Sequence, residues 1–159
     1  MNSNLIITIG REYGTGGREI GQKLALRLGV PFYDRELITR AAKKTGFDEK
    51  LFEQLDKRAT NSFLYSLTMF GSVGLNGMSL TDQLYLAQSN IIREMAEDSS
   101  CVIVGRCADH VLRDFPNKFD FFIHGSIEDR VKRVQTCGDY VIEGKTPEAA
   151  LEKMDKQRS

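Results

Sequence analysis

Cysteine is scarce in this chain, and its spacing excludes two common kinds of structure. The three cysteines, Cys101, Cys107 and Cys137, are odd in number and form none of the closely spaced CxxC pairs that zinc sites use. We therefore expect neither a disulfide framework nor a zinc site. Unpaired thiols are typical of a reducing compartment, which predicts a cytoplasmic protein.

A charge excess of either sign is also lacking. The 22 basic side chains equal the 22 acidic ones, so the formal net charge is zero. Proteins that bind nucleic acid or membrane surfaces broadly need a basic excess to meet phosphates or anionic lipid. We expect neither kind of partner, and any chemistry with phosphate must be local.

Long apolar segments are rare as well. The N-terminus has no basic region, and its first apolar run, residues 5–9, is shorter than the roughly 7 to 15 residues of a signal-peptide core. Residues 59–81 carry no charge, but serine, threonine, asparagine and glycine interrupt them too often for a membrane span. Neither secretion nor membrane insertion is expected.

The apolar runs that do occur alternate with helical patterns. Four of them indicate strands buried in a parallel sheet: residues 5–9, 30–33, 101–105 and 119–125. Helices are predicted from Gly17, after Asp34, from Asp48, near Thr81, after Ser126 and from Thr146. This alternation predicts one α/β domain in three layers, with helices flanking a parallel sheet.

Two of these helices carry specific signals. In the first, Ile20, Leu24 and Leu28 recur every four residues and predict its buried stripe. Before the other, Ser126 is followed three residues later by Asp129, as in a capping box. Both signals place a helix directly after a strand, as a βαβ unit requires.

The segment after the first strand is rich in glycine. Residues 9–21 read IGREYGTGGREIG, with five glycines in thirteen positions. A glycine-rich turn between a buried strand and a helix lets successive N–H groups point into one hollow at the positive end of the helix dipole. Side chains would block that approach, so Gly14, Gly16 and Gly17 predict a phosphate-binding loop.

This loop differs from the standard phosphate loop, G-x-x-x-x-G-K-S/T, in three ways. Gly10 and Gly16 are separated by five residues instead of four, Gly17 stands where the lysine belongs, and Glu19 falls near the hydroxyl position. Arg18 can supply the missing cation, because a guanidinium offers forked donors to phosphate oxygens.

A dinucleotide-binding turn of the G-x-G-x-x-G type is the main rival interpretation. Gly14 and Gly16 fit that pattern, and Asp34 lies twenty residues after Gly14, where an acid would bind a ribose. Glu19 occupies the third glycine position, however, and its bulk would hinder close packing of helix and strand. A nicotinamide-dependent oxidoreductase therefore ranks second, and a glycine turn without a ligand ranks below both.

Charged side chains follow the predicted strands, where ligands bind in open α/β sheets. They are Asp34 and Arg40 after the second strand, Arg106 and Asp109 after the third, and Arg130 and Arg133 on the helix after the fourth. Arginines and aspartates from separate segments could together surround a phosphorylated nucleoside.

Four segments together resemble the cytidylate kinase-like family of P-loop nucleoside monophosphate kinases: REYGTGGREIG, LGVPFYDRELI, CVIVGRCAD and FDFFIHGSIEDRVKRV. Each segment alone is common, but the four in this order are fairly specific and cover nearly the whole chain. The resemblance implies a P-loop kinase-like fold with ATP and Mg²⁺ as cofactors. It also implies small nucleotides as partners, with transfer of the ATP γ-phosphoryl group to CMP or dCMP.

The resemblance also implies roles for particular residues. The ATP phosphates would lie on Gly14, Thr15, Gly16, Gly17, Arg18 and Glu19, with Arg18 in place of the absent lysine. The acceptor nucleotide would contact Asp34, Arg40, Arg106 and Asp109. Arg18, Arg130 and Arg133, with Arg158 as a further candidate, would meet the transferring phosphoryl group. No residue is assigned as a metal ligand.

The chain departs from the family pattern in two places. An acid usually follows the arginine equivalent to Arg106, whereas this chain has Cys107. Family members also usually continue past the equivalent of Ser159, so we expect one domain over residues 1–159 with an NMP-binding insert at about 48–98 and a shortened lid. A nucleotide-binding module without catalysis stays open as an alternative. Residues 59–81 could be core, a self-association surface or a mobile cover over the acceptor nucleotide.

Overall fold

The protein is represented by a computed structural model that describes residues 4–34, 80–137 and 146–156. In chain order its elements are β1 (Ile6–Arg11), α1 (Gly17–Leu28), β2 (Phe32–Tyr33), α2 (Leu80–Asp98), β3 (Cys101–Val104), α3 (Ala108–Val111), β4 (Lys118–Ile123), α4 (Ile127–Thr136) and α5 (Pro147–Lys156). The helices predicted after Asp34 and from Asp48, and most of the predicted insert, lie outside these residues.

The four strands form one parallel sheet in the order β2-β3-β1-β4. In the centre of the sheet Ile9 of β1 pairs with Val104 of β3. Because parallel strands end at the same edge, the glycine loop after β1 and the turn after β3 are neighbours. The predicted parallel α/β architecture is therefore confirmed.

Side chains that alternate along β3 face two different helix layers, as the period of a strand requires. Ile103 packs in a cluster with Ile92 of α2 and Leu112. Val102 and Val104 pack on the other face, with Ala25 of α1. The centre of the sheet is thus covered by helices on both sides, which confirms the three-layer prediction.

Helix α1 packs through only part of the predicted stripe. Ile20 and Leu28 are 45% and 44% exposed, whereas Gly21 and Ala25 are buried. A β-carbon on Gly21 would lie 2.7 Å from Cγ2 of Val104, so the absent side chain lets the helix approach the sheet closely. Leu24, the middle residue of the predicted stripe, does pack against the core. The spacing of large apolar residues therefore predicted the helix correctly and its buried face in part.

Strand β4 was predicted to be buried, and the structure places it at an edge of the sheet. Among the described residues it pairs with β1 alone. Phe119, Phe121 and Phe122 are 52%, 53% and 66% exposed. An apolar sequence indicates a strand, but its position in the sheet decides whether both faces and both edges are covered.

The two helices that follow β4 begin as predicted. The Ser126 hydroxyl accepts a hydrogen bond from the Asp129 N–H at 3.1 Å, which caps α4. At the start of α5, the Thr146 hydroxyl accepts from the Ala149 N–H at 3.2 Å. None of the helices in the described part of the chain has the length and apolar composition to cross a membrane.

Candidate phosphate-binding site

The glycine loop turns the chain from β1 into α1 by means of two left-handed residues. Gly14 and Gly16 have φ angles of +83° and +77°, a region that costs other L-residues roughly 1–2 kcal/mol. Gly16 is the N-cap of α1, and its carbonyl accepts from the Ile20 N–H at 3.0 Å. No backbone hydrogen bond among the described residues uses the N–H groups of Gly14, Gly16 or Gly17. These donors at a helix N-terminus form a site suited to an anion.

Neighbouring residues press closely against this loop. A β-carbon on Gly14 would lie 2.9 Å from Cγ2 of Val134 in α4, and one on Gly16 would lie 2.6 Å from Cζ of Arg133. The glycines are therefore required by packing as well as by their φ angles. The loop is a narrow cradle between β1 and α4.

Replacing Gly14 with alanine should destabilise the protein by about 3 kcal/mol, from left-handed strain and the clash with α4. Gly29→Ala is the matched control, because Gly29 also has a positive φ (+66°) but no described heavy atom lies within 4 Å of its added β-carbon. That control should cost about 1 kcal/mol. Denaturant unfolding measures both values, and equal losses would contradict the packing argument.

Arg130, predicted to meet the transferring phosphoryl group, is buried and contacts the first residues of the glycine loop. Its Nε donates to the Tyr13 carbonyl at 2.8 Å, its Nη1 lies 3.3 Å from Glu12 Oε2, and its Nη2 pairs with Asp155. Asp155 in turn accepts from the Tyr13 N–H at 2.7 Å. Arg130 therefore joins α4, α5 and the glycine loop. Its predicted contact with phosphate stays a prediction.

Arg133 lies directly against the cradle. Its guanidinium adjoins Gly16, and its Nη2 pairs with Glu19, which also accepts from Lys23 Nζ at 2.6 Å. Hydrogen bonding and charge from Lys23, and then from Arg133, lower the pKa of Glu19. The structure thus brings Arg133 and Glu19, both predicted site residues, together at the mouth of the loop.

Arg18 and Asp34, which were predicted to serve opposite sides of the reaction, contact each other. Arg18 Nε donates to Asp34 Oδ2 at 2.7 Å. Asp34 is 5% exposed at the end of β2, whereas the Arg18 side chain is about half exposed. The pair ties α1 to the neighbouring strand end. Arg40 and Arg158 lie outside the described residues.

The turn after β3 has three consecutive residues with positive φ. They are Gly105 (+80°), Arg106 (+60°) and Cys107 (+50°). Left-handed backbone at two non-glycine residues is uncommon, and such strain concentrates at functional sites. Asp109 is exposed on α3, and its carbonyl accepts from Lys118 Nζ at 2.8 Å. The geometry therefore singles out Arg106 more than Asp109.

One basic residue of the site was missed by the sequence analysis. Arg11, the last residue of β1, passes beneath the loop, where a β-carbon on Gly17 would lie 2.8 Å from its Cβ. Its Nη1 lies next to Gly105 in the turn after β3, where a β-carbon added to Gly105 would collide with it. The sequence did contain a signal for this role: Arg11 lies just beyond the first predicted strand, and Gly17 occupies the position of the standard lysine.

Metal-binding side chains do not cluster in this part of the molecule. Within residues 4–34, 80–137 and 146–156, no group of three or more histidine, cysteine, aspartate or glutamate side chains could hold a metal ion. Burial raises the pKa of the Cys101 thiol to about 11, which makes that cysteine an inert core residue.

Two solved structures are similar to this chain. A gluconokinase from Sinorhizobium meliloti 1021 matches all of this chain and 77% of its own, with 16% identity and a TM-score of 0.51. An uncharacterized protein from Eubacterium ventriosum ATCC 27560 is 33% identical over 97% of this chain and 73% of its own, with a TM-score of 0.62. The chain thus has a P-loop kinase-like α/β fold.

The family follows from the sequence of the same segments. The model of the cytidylate kinase-like family matches residues 6–159, so the chain belongs to that family. Among curated proteins none matches the chain. The resemblance carried by the four motifs is therefore confirmed at the level of family and fold.

Proposed function

We propose that this protein is a nucleoside monophosphate kinase that transfers the γ-phosphoryl group of ATP to CMP or dCMP. The observation that carries the proposal is the side chain of Arg11, which adjoins Gly17 of the cradle and Gly105 of the turn after β3. A phosphate-binding loop and a turn that delivers Arg106 therefore share one edge of the sheet. Kinases need a donor site and an acceptor site that adjoin in this way.

The cradle fits the phosphates of ATP. Added β-carbons at Gly14 and Gly16 would collide with residues of α4, so both positions need glycine for the loop to pack there. Main-chain N–H groups at the start of α1 are available to donate, because no side chain caps the helix. Arg133 adds a guanidinium beside Gly16. Mg²⁺ in this class of enzyme neutralises charge on the β- and γ-phosphates. Because Mg²⁺ is usually held by only one or two carboxylates together with the phosphates, it does not need a cluster of protein ligands at the cradle.

The chain's own contribution to transfer is positioning and charge neutralisation, since phosphoryl transfer needs little covalent chemistry from the protein. The loop would orient the donor phosphates, and Arg106 would bind the acceptor phosphate from the end of β3. Asp34, held by Arg18 at 2.7 Å, would accept hydrogen bonds from the acceptor nucleoside. Arg133 would leave Glu19 to meet the transferring group.

A nucleotide-binding module without catalysis is the second candidate, and one feature favours it. Arg18, Arg130 and Arg133 all pair with carboxylates in the structure, so none is committed to phosphate. Transfer requires at least Arg133 to exchange its partner. A module that only binds nucleotides would not need that exchange.

Two measurements test the proposal. A coupled assay for ADP release, run with CMP, dCMP, UMP and AMP, should show the highest kcat/KM for CMP or dCMP. A parallel titration should show binding of ATP and none of NADH. Binding of ATP without ADP release for any acceptor would identify the inert module, and binding of NADH alone would indicate the oxidoreductase.

A further inference from the structure

We infer that Arg11 supplies the cation that the lysine of a standard phosphate loop supplies, and that it contacts the terminal phosphates of the bound nucleoside triphosphate. The inference rests on the proposed function for the identity of the ligand. It concerns a residue to which the sequence pattern gave no role in ligand binding, and it assigns to Arg11 the part that the sequence analysis gave to Arg18.

The first step is steric. In the standard loop the lysine side chain leaves the position that Gly17 occupies here. A β-carbon on Gly17 would lie 2.8 Å from Cβ and 2.9 Å from Cγ of Arg11. The stem of Arg11 therefore fills the space that a side chain at that position would need. The absence of a lysine at position 17 and the presence of Arg11 on β1 are therefore linked, because both side chains could not occupy this space.

The second step is where the guanidinium lies. Its Nη1 adjoins Gly105 so closely that a β-carbon there would collide with it. Gly105 directly precedes Arg106, the arginine proposed for the acceptor phosphate. The charged end of Arg11 is thus located between the donor cradle and the acceptor side, at the carboxyl end of the two central strands.

The third step is rigidity. Arg11 is the last residue of β1 and pairs with Ile123 of β4, so its backbone is fixed by the sheet. Arg18 is about half exposed and bound to Asp34, and Arg133 comes from α4 and is bound to Glu19. A guanidinium whose backbone is fixed by a central strand is well preorganised for phosphate.

The test compares Arg11→Met, Arg11→Lys and the control Arg113→Met for binding of inorganic tripolyphosphate, a non-hydrolysable ATP analogue and CMP. Methionine keeps most of the stem beneath Gly17 and removes the guanidinium. Arg113 is an exposed arginine on the segment after α3, 3.8 Å from Asp114. Calorimetric titration at two salt concentrations gives the affinities without any need for turnover.

Arg11→Met should weaken binding of tripolyphosphate and of the ATP analogue about tenfold or more, because a charge-assisted contact is lost. Its affinity for CMP should be unchanged, its salt dependence should be smaller than that of the wild type, and Arg11→Lys should recover part of the loss. Arg113→Met should bind all three ligands as the wild type does. Equal tripolyphosphate affinity in wild type and Arg11→Met would overturn the inference.

Two further results distinguish a failure of this inference from misfolding of the variant and from failure of the proposed kinase activity. If Arg11→Met does not fold, the arginine Nε–H resonance that Arg11→Lys removes from the wild-type spectrum should shift when tripolyphosphate is added, and an unmoved resonance would overturn the inference. Weakened tripolyphosphate binding in Arg11→Met, together with a wild type that transfers to no acceptor, would support the role of Arg11 and refute the proposed kinase activity.

Discussion

Replacement of Arg106 by glycine should lower kcat/KM for phosphoryl transfer roughly a thousandfold, the scale on which a single arginine acts in phosphoryl transfer. The fold should not be destabilised, because Arg106 has a φ of +60° and glycine adopts that conformation without the roughly 1–2 kcal/mol that other residues incur. The variant should therefore unfold at the same denaturant concentration as the wild type, or at a higher one.

The neighbouring residue provides a matched control. Cys107 also has a positive φ, +50°, and its side chain is exposed. Cys107→Gly should relieve backbone strain in the same turn while leaving transfer within about twofold of the wild type. A purely structural role for Arg106 predicts the reverse pattern, with lower stability and normal kcat/KM, and that result would remove Arg106 from the acceptor site.

The second large effect is expected at Arg130. Arg130→Met should destabilise the protein by about 3 kcal/mol, because it removes the buried partner of a partly buried ion pair and leaves the Tyr13 carbonyl without its donor. Binding of ATP should weaken as well, since the arginine holds the glycine loop against α4 and α5. Denaturant unfolding and an ATP titration measure the two consequences separately.

Lys132 is the control for this experiment, because it is an exposed basic residue on the same helix. Lys132→Met should change the free energy of unfolding by less than about 0.5 kcal/mol. A double-mutant cycle with Asp155→Asn should show strong coupling to Arg130, as residues joined by a direct contact do. Additive effects would indicate that the contact between Arg130 and Asp155 contributes little.

The order of elements and the location of the cradle could be predicted from the sequence, because they depend on interactions between close neighbours. A β-branched run specifies β1, positive φ at Gly14 and Gly16 needs glycine, and Ser126 caps α4 through the N–H of Asp129. Each of these features involves residues no more than a few positions apart. The family resemblance then supplied the chemistry expected at the cradle.

The buried face of α1 and the exposure of β4 could not be predicted in the same way. Both depend on the space that another element leaves. Gly21 is buried because its missing side chain admits Val104, and Phe121 is exposed because β4 lies at an edge of the described sheet. Hydrophobic periodicity reports the amphipathic character of an element, and it carries no information about the shape of its neighbour.

By itself the sequence determined a parallel α/β domain with a glycine cradle between β1 and α1, because local backbone preferences and apolar patterning are sufficient for that. Only the tertiary structure decided which partner each charged group has. Arg130 donates to the carbonyl of Tyr13, 117 residues away in the chain, and Arg18 donates to Asp34. The side chain of Arg11 lies against Gly17 and Gly105. Such contacts depend on distances across the folded molecule, which sequence spacing does not specify.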